Sequence, residues 1–200
     1  MGREDFKHQL DELGKVITDG ISYLLVWRGL MVEDEESAKA LNRYRGMFLP
    51  ARSALLKMAL MQFAKVFDKD TRAISLRNLL TAAQNDPINL TPHATESELT
   101  QISQDIDAIE DVLRRLKNHR DQRLAHHDAI TESDASITYG EVIKLVEDIK
   151  TMYNSLTKSH DRSITSYDWL SREVERHTSN VVGVMRDDMK RHISKYKTDK

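Results

Sequence analysis

Apolar residues recur every three to four positions along nearly the whole chain, the period of an amphipathic α-helix. Leu10, Leu13, Ile17, Ile21, Leu24 and Leu25 mark one face of a helix over 4–29. An acidic run at 33–37 separates it from a second helix over 37–67, with Pro50 at a kink or a restart. The second half of that helix is apolar on several sides, which makes it the expected central core helix, with Met47, Met58 and Met61 as filler. Residues 68–74 read as a polar connector, and Ser75 as the N-cap of a short helix over 75–85. Thr95 with Glu98, and Thr138 with Glu141, have the spacing of capping boxes; they open helices over 95–125 and 138–159. A last helix is predicted over 165–196. No run of alternating β-branched residues nominates a strand, so the expected class is all-α, with roughly six helices.

Composition adds limits to this picture. Two hundred residues suit one domain or one domain with a helical extension, and 40% hydrophobic residues suffice for a core. A net charge of −2 removes general polyanion binding, so any nucleic-acid contact must come from a local patch. There is no cysteine, which excludes disulfides, thiolate metal sites and cysteine nucleophiles and fits a reducing compartment. The first residues are charged at once and do not resemble a signal peptide. The longest apolar runs, such as 21–27, are too short to span a bilayer, so a cytoplasmic protein without membrane contact is expected. His119, His160, His177 and His192 have no histidine one helical turn away, and neither a metal nor a cofactor is expected.

The candidate chemistry lies in residues 120–128, RDQRLAHHD. On a helical wheel Ile102, Ile106, Ile109, Leu113, Leu116 and Leu124 share one face, and Arg120 falls inside it. His127 is nearly in register with Arg120, whereas Asp121 and His126 point elsewhere on an ideal helix. A buried guanidinium without a counter-charge is costly. Arg120 therefore needs a carboxylate, Asp68 being a candidate across the bundle, a partner chain or a ligand anion. Guanidinium suits phosphate, and a nearby histidine can move protons near neutral pH. With no cysteine and no carboxylate cluster, the combination suits metal-independent phosphodiester chemistry, in which the 2′-hydroxyl of RNA is the nucleophile. Arg114, Arg115, Lys117 and Arg123 make the surrounding window basic, either as a solvated face or as a grip on an RNA backbone.

These residues resemble the HEPN superfamily of helical domains, whose motif is an arginine, commonly with a polar residue after it, and a histidine after four to six intervening residues. Arg120, Asp121 and His126 match it. The likeness is to the AbiU-like, abortive-infection branch. It extends to FAKVFDKD at 63–70, to ISLRNLL at 74–80, and to the set Lys117, Arg120, Asp121, Ala125, His126 and Asp128, covering roughly residues 20–160. Arg123 departs from the lysine expected there but keeps the charge. The resemblance implies an up-and-down helical bundle over 1–160, with a C-terminal helix at 161–200 packing on it or extending from it. It implies a homodimer in which two motifs meet in one cleft. Arg120 would hold the scissile phosphate, His126 act as base or acid, and Asp121 orient one of them. His127 is a helper or an end-of-helix cation, and Asp68 and Asp128 are orienting residues. The implied function is a metal-independent endoribonuclease of a phage-defence or toxin system, with an antitoxin or another protein as a further partner. The alternatives are a non-catalytic module that binds nucleotide, RNA or protein, and a structural dimer with Arg120 in a buried ion pair.

Overall fold

Helix boundaries in this chain are set by side chains that satisfy the unpaired N–H groups of the first turn. The computed structural model describes residues 1–119 and 136–198. The described residues form nine helices and no strand: α1 (Arg3–Leu30), α2 (Glu35–Arg43), α3 (Arg45–Val66), α4 (Leu76–Asn85), α5 (Pro87–Leu90), α6 (Glu96–Ala108), α7 (Glu110–His119), α8 (Tyr139–Asp161) and α9 (Asp168–Thr198). Ser75 caps α4 through Asn78 N–H, and both capping boxes, Thr95–Glu98 and Thr138–Glu141, form with reciprocal hydrogen bonds. No described helix is long and apolar enough to cross a membrane.

The all-helical class is as expected; the count differs because of three local features. The expected second helix divides at Tyr44, not at Pro50, which sits inside α3. The Tyr44 carbonyl accepts from Met47 and Phe48 N–H, while its hydroxyl donates to Asp188 of α9 at 2.5 Å. The expected fourth helix divides at Ile109, whose carbonyl accepts the Leu113 N–H at 3.0 Å. Pro87, with φ preset at a first helical position, starts the single turn of α5.

The chain groups into two compact units. Residues 1–20 and 60–166 form the first. Its core takes Phe6, Leu10, Leu13 and Ile17 from α1 and Phe63 and Val66 from α3, all at most 2% exposed. Leu76 and Leu79 of α4, Ile102 and Ile106 of α6, and Leu145, Ile149 and Leu156 of α8 complete it. Each such side chain contributes roughly 1.5–3 kcal/mol of transfer free energy. Two polar groups are satisfied inside this core. Tyr153 donates its hydroxyl to the Leu10 carbonyl at 3.1 Å, and burial pushes its pKa up to about 12. His160 sits against the Phe6 ring with Nδ1 2.5 Å from the Leu90 carbonyl, which assigns the proton to Nδ1.

The second unit contains residues 21–59 and 167–200. Leu30, Leu41, Phe48 and Val182 form its core, flanked by Val26, Val32, Leu55 and Met185. Arg28 pairs with Glu175 at 3.3 Å and Lys190 with Glu36 at 2.7 Å around its rim. Met47 and Met58 are not core filler. They are 67% and 38% exposed, because the inward positions of α3 are already taken by Phe48, Ala59, Leu60 and Phe63.

Within the first unit, α1 approaches α3 closely at Gly20, where an added Cβ would come 2.7 Å from Phe63 Cε1. The ring is fully buried and has no room to retreat. Gly20→Ala should therefore destabilise the protein by about 1–3 kcal/mol despite its better helix propensity. Urea unfolding followed by circular dichroism reads this directly, and an unchanged or raised midpoint contradicts the packing argument.

Candidate basic cleft on the α3–α4–α7 side

The stripe foreseen on the wheel is real as far as the described residues extend. Ile102, Ile106, Ile109, Leu113 and Leu116 are all buried, at 8% exposure or less, across α6 and α7. Burying that face leaves the polar residues of α7 around an open cleft of about 720 Å³. Phe67, Leu113 and Leu116 give it an apolar floor. Asp68, Lys69 and Asp70 come from the connector after α3, Arg77 from α4, and Glu110, Arg114, Lys117 and Asn118 from α7.

The connector keeps its shape through its own carboxylates. Asp68 accepts the Asp70 N–H at 3.0 Å, and Asp70 accepts the Arg72 N–H at 2.9 Å. The Arg72 guanidinium also forks onto Asp70, which holds that carboxyl below its ordinary range. Asn78 ties α4 back with two donations, to the Asp70 and Ala73 carbonyls, each at 2.8 Å. Asp68 and Asp70 thus close turns, as Asp and Asn side chains do at chain reversals.

The charges of the cleft are mostly engaged with one another. Lys69 donates to Glu110 at 2.6 Å and Arg77 donates to the other Glu110 oxygen. The bond from Lys69 above all, and then the charge of Arg77, keep the Glu110 carboxyl below its usual range. Arg114 pairs with Asp111 at 2.7 Å. Exposed pairs of this kind contribute about 0–1 kcal/mol each, so they order the rim without locking it. Lys117 differs: it is exposed, lines the cleft, and has no ion-pair partner among the described residues.

Arg115 points elsewhere. Its guanidinium reaches both oxygens of Glu141 on α8, Asp111 at 3.0 Å, and the Ser136 carbonyl at 2.8 Å. This fork, followed by the Thr138 N–H and hydroxyl, lowers the Glu141 pKa to about 2. Arg115 thereby anchors the chain where it resumes at residue 136, one helical turn before α7 delivers it to residue 119. Of the residues singled out in the sequence, Lys117, Arg114 and Asp68 gather at the cleft and Arg115 does not. Arg120, Asp121, Arg123, His126, His127 and Asp128 lie outside the described residues.

The sequence reading missed Lys69, Arg77 and Glu110. A signal for Arg77 was available: it follows Leu76 and precedes Leu79 and Leu80, all buried, so its stem is drawn inward. Another cavity, of about 570 Å³, lies between α4, α5 and α6. Glu96 is the charged residue in its lining, so it offers an anion nothing.

With this geometry in place, the sequence comparisons decide the family. The HEPN_AbiU2 family, described as AbiU2, matches residues 3–181, and the chain belongs to it. No curated protein and no solved structure matches the chain.

A carboxyl held low in the fold stabilises it above the ordinary carboxylate range and loses that contribution as pH falls through the folded value. For Glu141 the window runs from 4.5 down to about 2. Glu141→Gln should lower Tm at neutral pH, and its gap to the wild type should narrow steadily between pH 4.5 and 2. Thermal unfolding of both proteins across that range measures it; a gap of constant size counts against the Arg115 fork as the cause.

Proposed function

We propose that this chain is a metal-independent endoribonuclease of the HEPN type, working as a homodimer in a phage-defence or toxin system. Family membership over residues 3–181 supports the fold half of this reading. The observation that carries the chemical half is Lys117. It is an exposed cation at an apolar-floored cleft, without an ion-pair partner among the described residues, three positions before Arg120. An exposed cation beside such a cleft suits a backbone phosphate.

In the proposed reaction His126 removes the proton of the RNA 2′-hydroxyl. The 2′-oxygen bonds to phosphorus as the bond to the 5′-oxygen breaks, giving a 2′,3′-cyclic phosphate and a 5′-hydroxyl end. His126 of a second copy returns a proton to the leaving oxygen. Arg120 holds the non-bridging oxygens and offsets the charge that builds on them, and Asp121 orients one of these groups. Lys117, Arg114 and Arg123 hold flanking phosphates, with His127 as a helper and Asp128 as an orienting group. Arg115, occupied by Glu141, serves this reading as an anchor of the chain at Ser136. One observation favours a second reading: Asp68 is half-buried on the same cleft, where it suits Arg120 as an ion-pair partner in a structural dimer.

Incubation with total RNA in EDTA tests the proposal. Wild-type protein should cleave, and Arg120→Ala and His126→Ala should each reduce the rate at least about a hundredfold with the helical content intact. His127→Ala should retain most of the activity. Cleavage that survives both substitutions, or that EDTA abolishes, rules the mechanism out. Binding without cleavage by the wild type makes the chain a non-catalytic module.

A further inference from the structure

The cleft holds a second cationic pair that the proposed reaction does not use. Lys69 and Arg77 come from different elements and converge on one carboxylate, Glu110, each taking a separate oxygen. The Arg77 side chain is 22% exposed, and its Nε is buried without a hydrogen-bond partner among the described residues. Lys69 and Glu110 are open to solvent, at 66% and 43%. The other carboxylates of the cleft are engaged in its turns: Asp70 is forked by Arg72, and Asp68 accepts the Asp70 N–H.

An ammonium on one oxygen and a guanidinium on the other is also how a phosphodiester presents its two non-bridging oxygens to cations. The exposed members of this cluster exchange partners readily, because water screens them. Arg77 has five N–H donors, and one of them meets Glu110, so an anion with more acceptors satisfies it better. We propose that Lys69 and Arg77 form a phosphate subsite for the RNA backbone, which Glu110 keeps closed in the empty protein by occupying both cations. The proposal rests on the ribonuclease reading for its ligand, RNA. The subsite shares its cleft with Lys117, so it takes a phosphate that flanks the reacting one and sets how the strand enters.

The test uses the full chain with His126→Ala, so that a fluorescein-labelled single-stranded oligouridylate stays intact while anisotropy reads its binding in EDTA. Adding Glu110→Gln frees both cations. It should tighten binding about three- to tenfold at low salt and steepen the salt dependence by about 0.7 for the phosphate gained. Lys69→Gln should weaken binding and flatten that slope by a similar amount, and it should shrink the gain from Glu110→Gln when the two are combined. Glu96→Gln, on the other cavity, should change nothing; equal tightening there would reduce the effect to bulk charge and sink the subsite. So would a folded Glu110→Gln protein that binds no tighter, or a Lys69→Gln protein that binds as before. Should Glu110→Gln fail to fold, the exposed Lys69 decides alone. The two proposals fail separately. Tighter binding by Glu110→Gln with no cleavage by wild type removes the nuclease and keeps the subsite. Cleavage that depends on Arg120, with Lys69 and Glu110 silent, does the reverse.

Discussion

The fork between Arg115 and Glu141 ties together two places the chain could otherwise let drift apart. Arg115 stands on α7, whose neighbours Leu113 and Leu116 are locked into the core, so its backbone is held in place. Glu141 is committed as well, since the same carboxylate completes the capping box that starts α8. Joining these two groups, with Ser136 as a third contact, brings the exit of the described chain at residue 119 and its return at residue 136 to one end of α7. A closed loop costs entropy that grows only slowly with length. Once the ends are held, the length of the segment between them adds little to that cost.

The cleft itself follows from a conflict between packing and charge. α7 must bury Leu113 and Leu116, yet it carries Arg114, Arg115 and Lys117 between and after them. The helix resolves this by turning Arg115 to α8 and leaving Arg114 and Lys117 on the open side. Acids in the first turn, Glu110 and Asp111, take up most of the neighbouring cations, and their position at the helix N-terminus suits the macrodipole. What is left over is an apolar floor, a rim of exposed ion pairs and a lysine, Lys117, without an ion-pair partner among the described residues.

Much of this fold is legible in the chain because it is local. The Ser75 cap and the boxes at Thr95 and Thr138 need a few consecutive residues, and the stripe from Ile102 to Leu116 needs only the helical period. The break at Tyr44 is not local: its hydroxyl bonds to Asp188 on α9, far away in sequence, while Pro50 offers a more conspicuous but unused signal. The same holds at the site. Lys117 and Arg114 could be placed from the basic window, but that window gave no reason to separate Arg115, whose partner stands on the next long helix. The Lys69, Arg77 and Glu110 cluster draws on three elements, and no spacing rule joins them. Arg120 and His126 rest on motif spacing alone, since both lie outside the described residues, and the match over residues 3–181 supplies the family and not their roles.

A net charge of −2 describes the chain as a whole, and the proposed RNA substrate would meet a local distribution of charge instead. Residues 78–113 contain seven carboxylates and no lysine or arginine, and the basic residues begin at Arg114. The acids of α6 repel a polyanion, but their influence fades over about 8–10 Å at physiological salt. In the first turn of α7, Glu110 and Asp111 are already matched by Lys69, Arg77, Arg114 and Arg115. On the proposed reading, the sign that an approaching phosphate would meet at the cleft is set by Lys117 and by the pairs it could displace. On the proposed reading, recognition at this cleft would depend on close exchange of one anion for another, and so would respond to salt and to single charge changes more than the small net charge suggests.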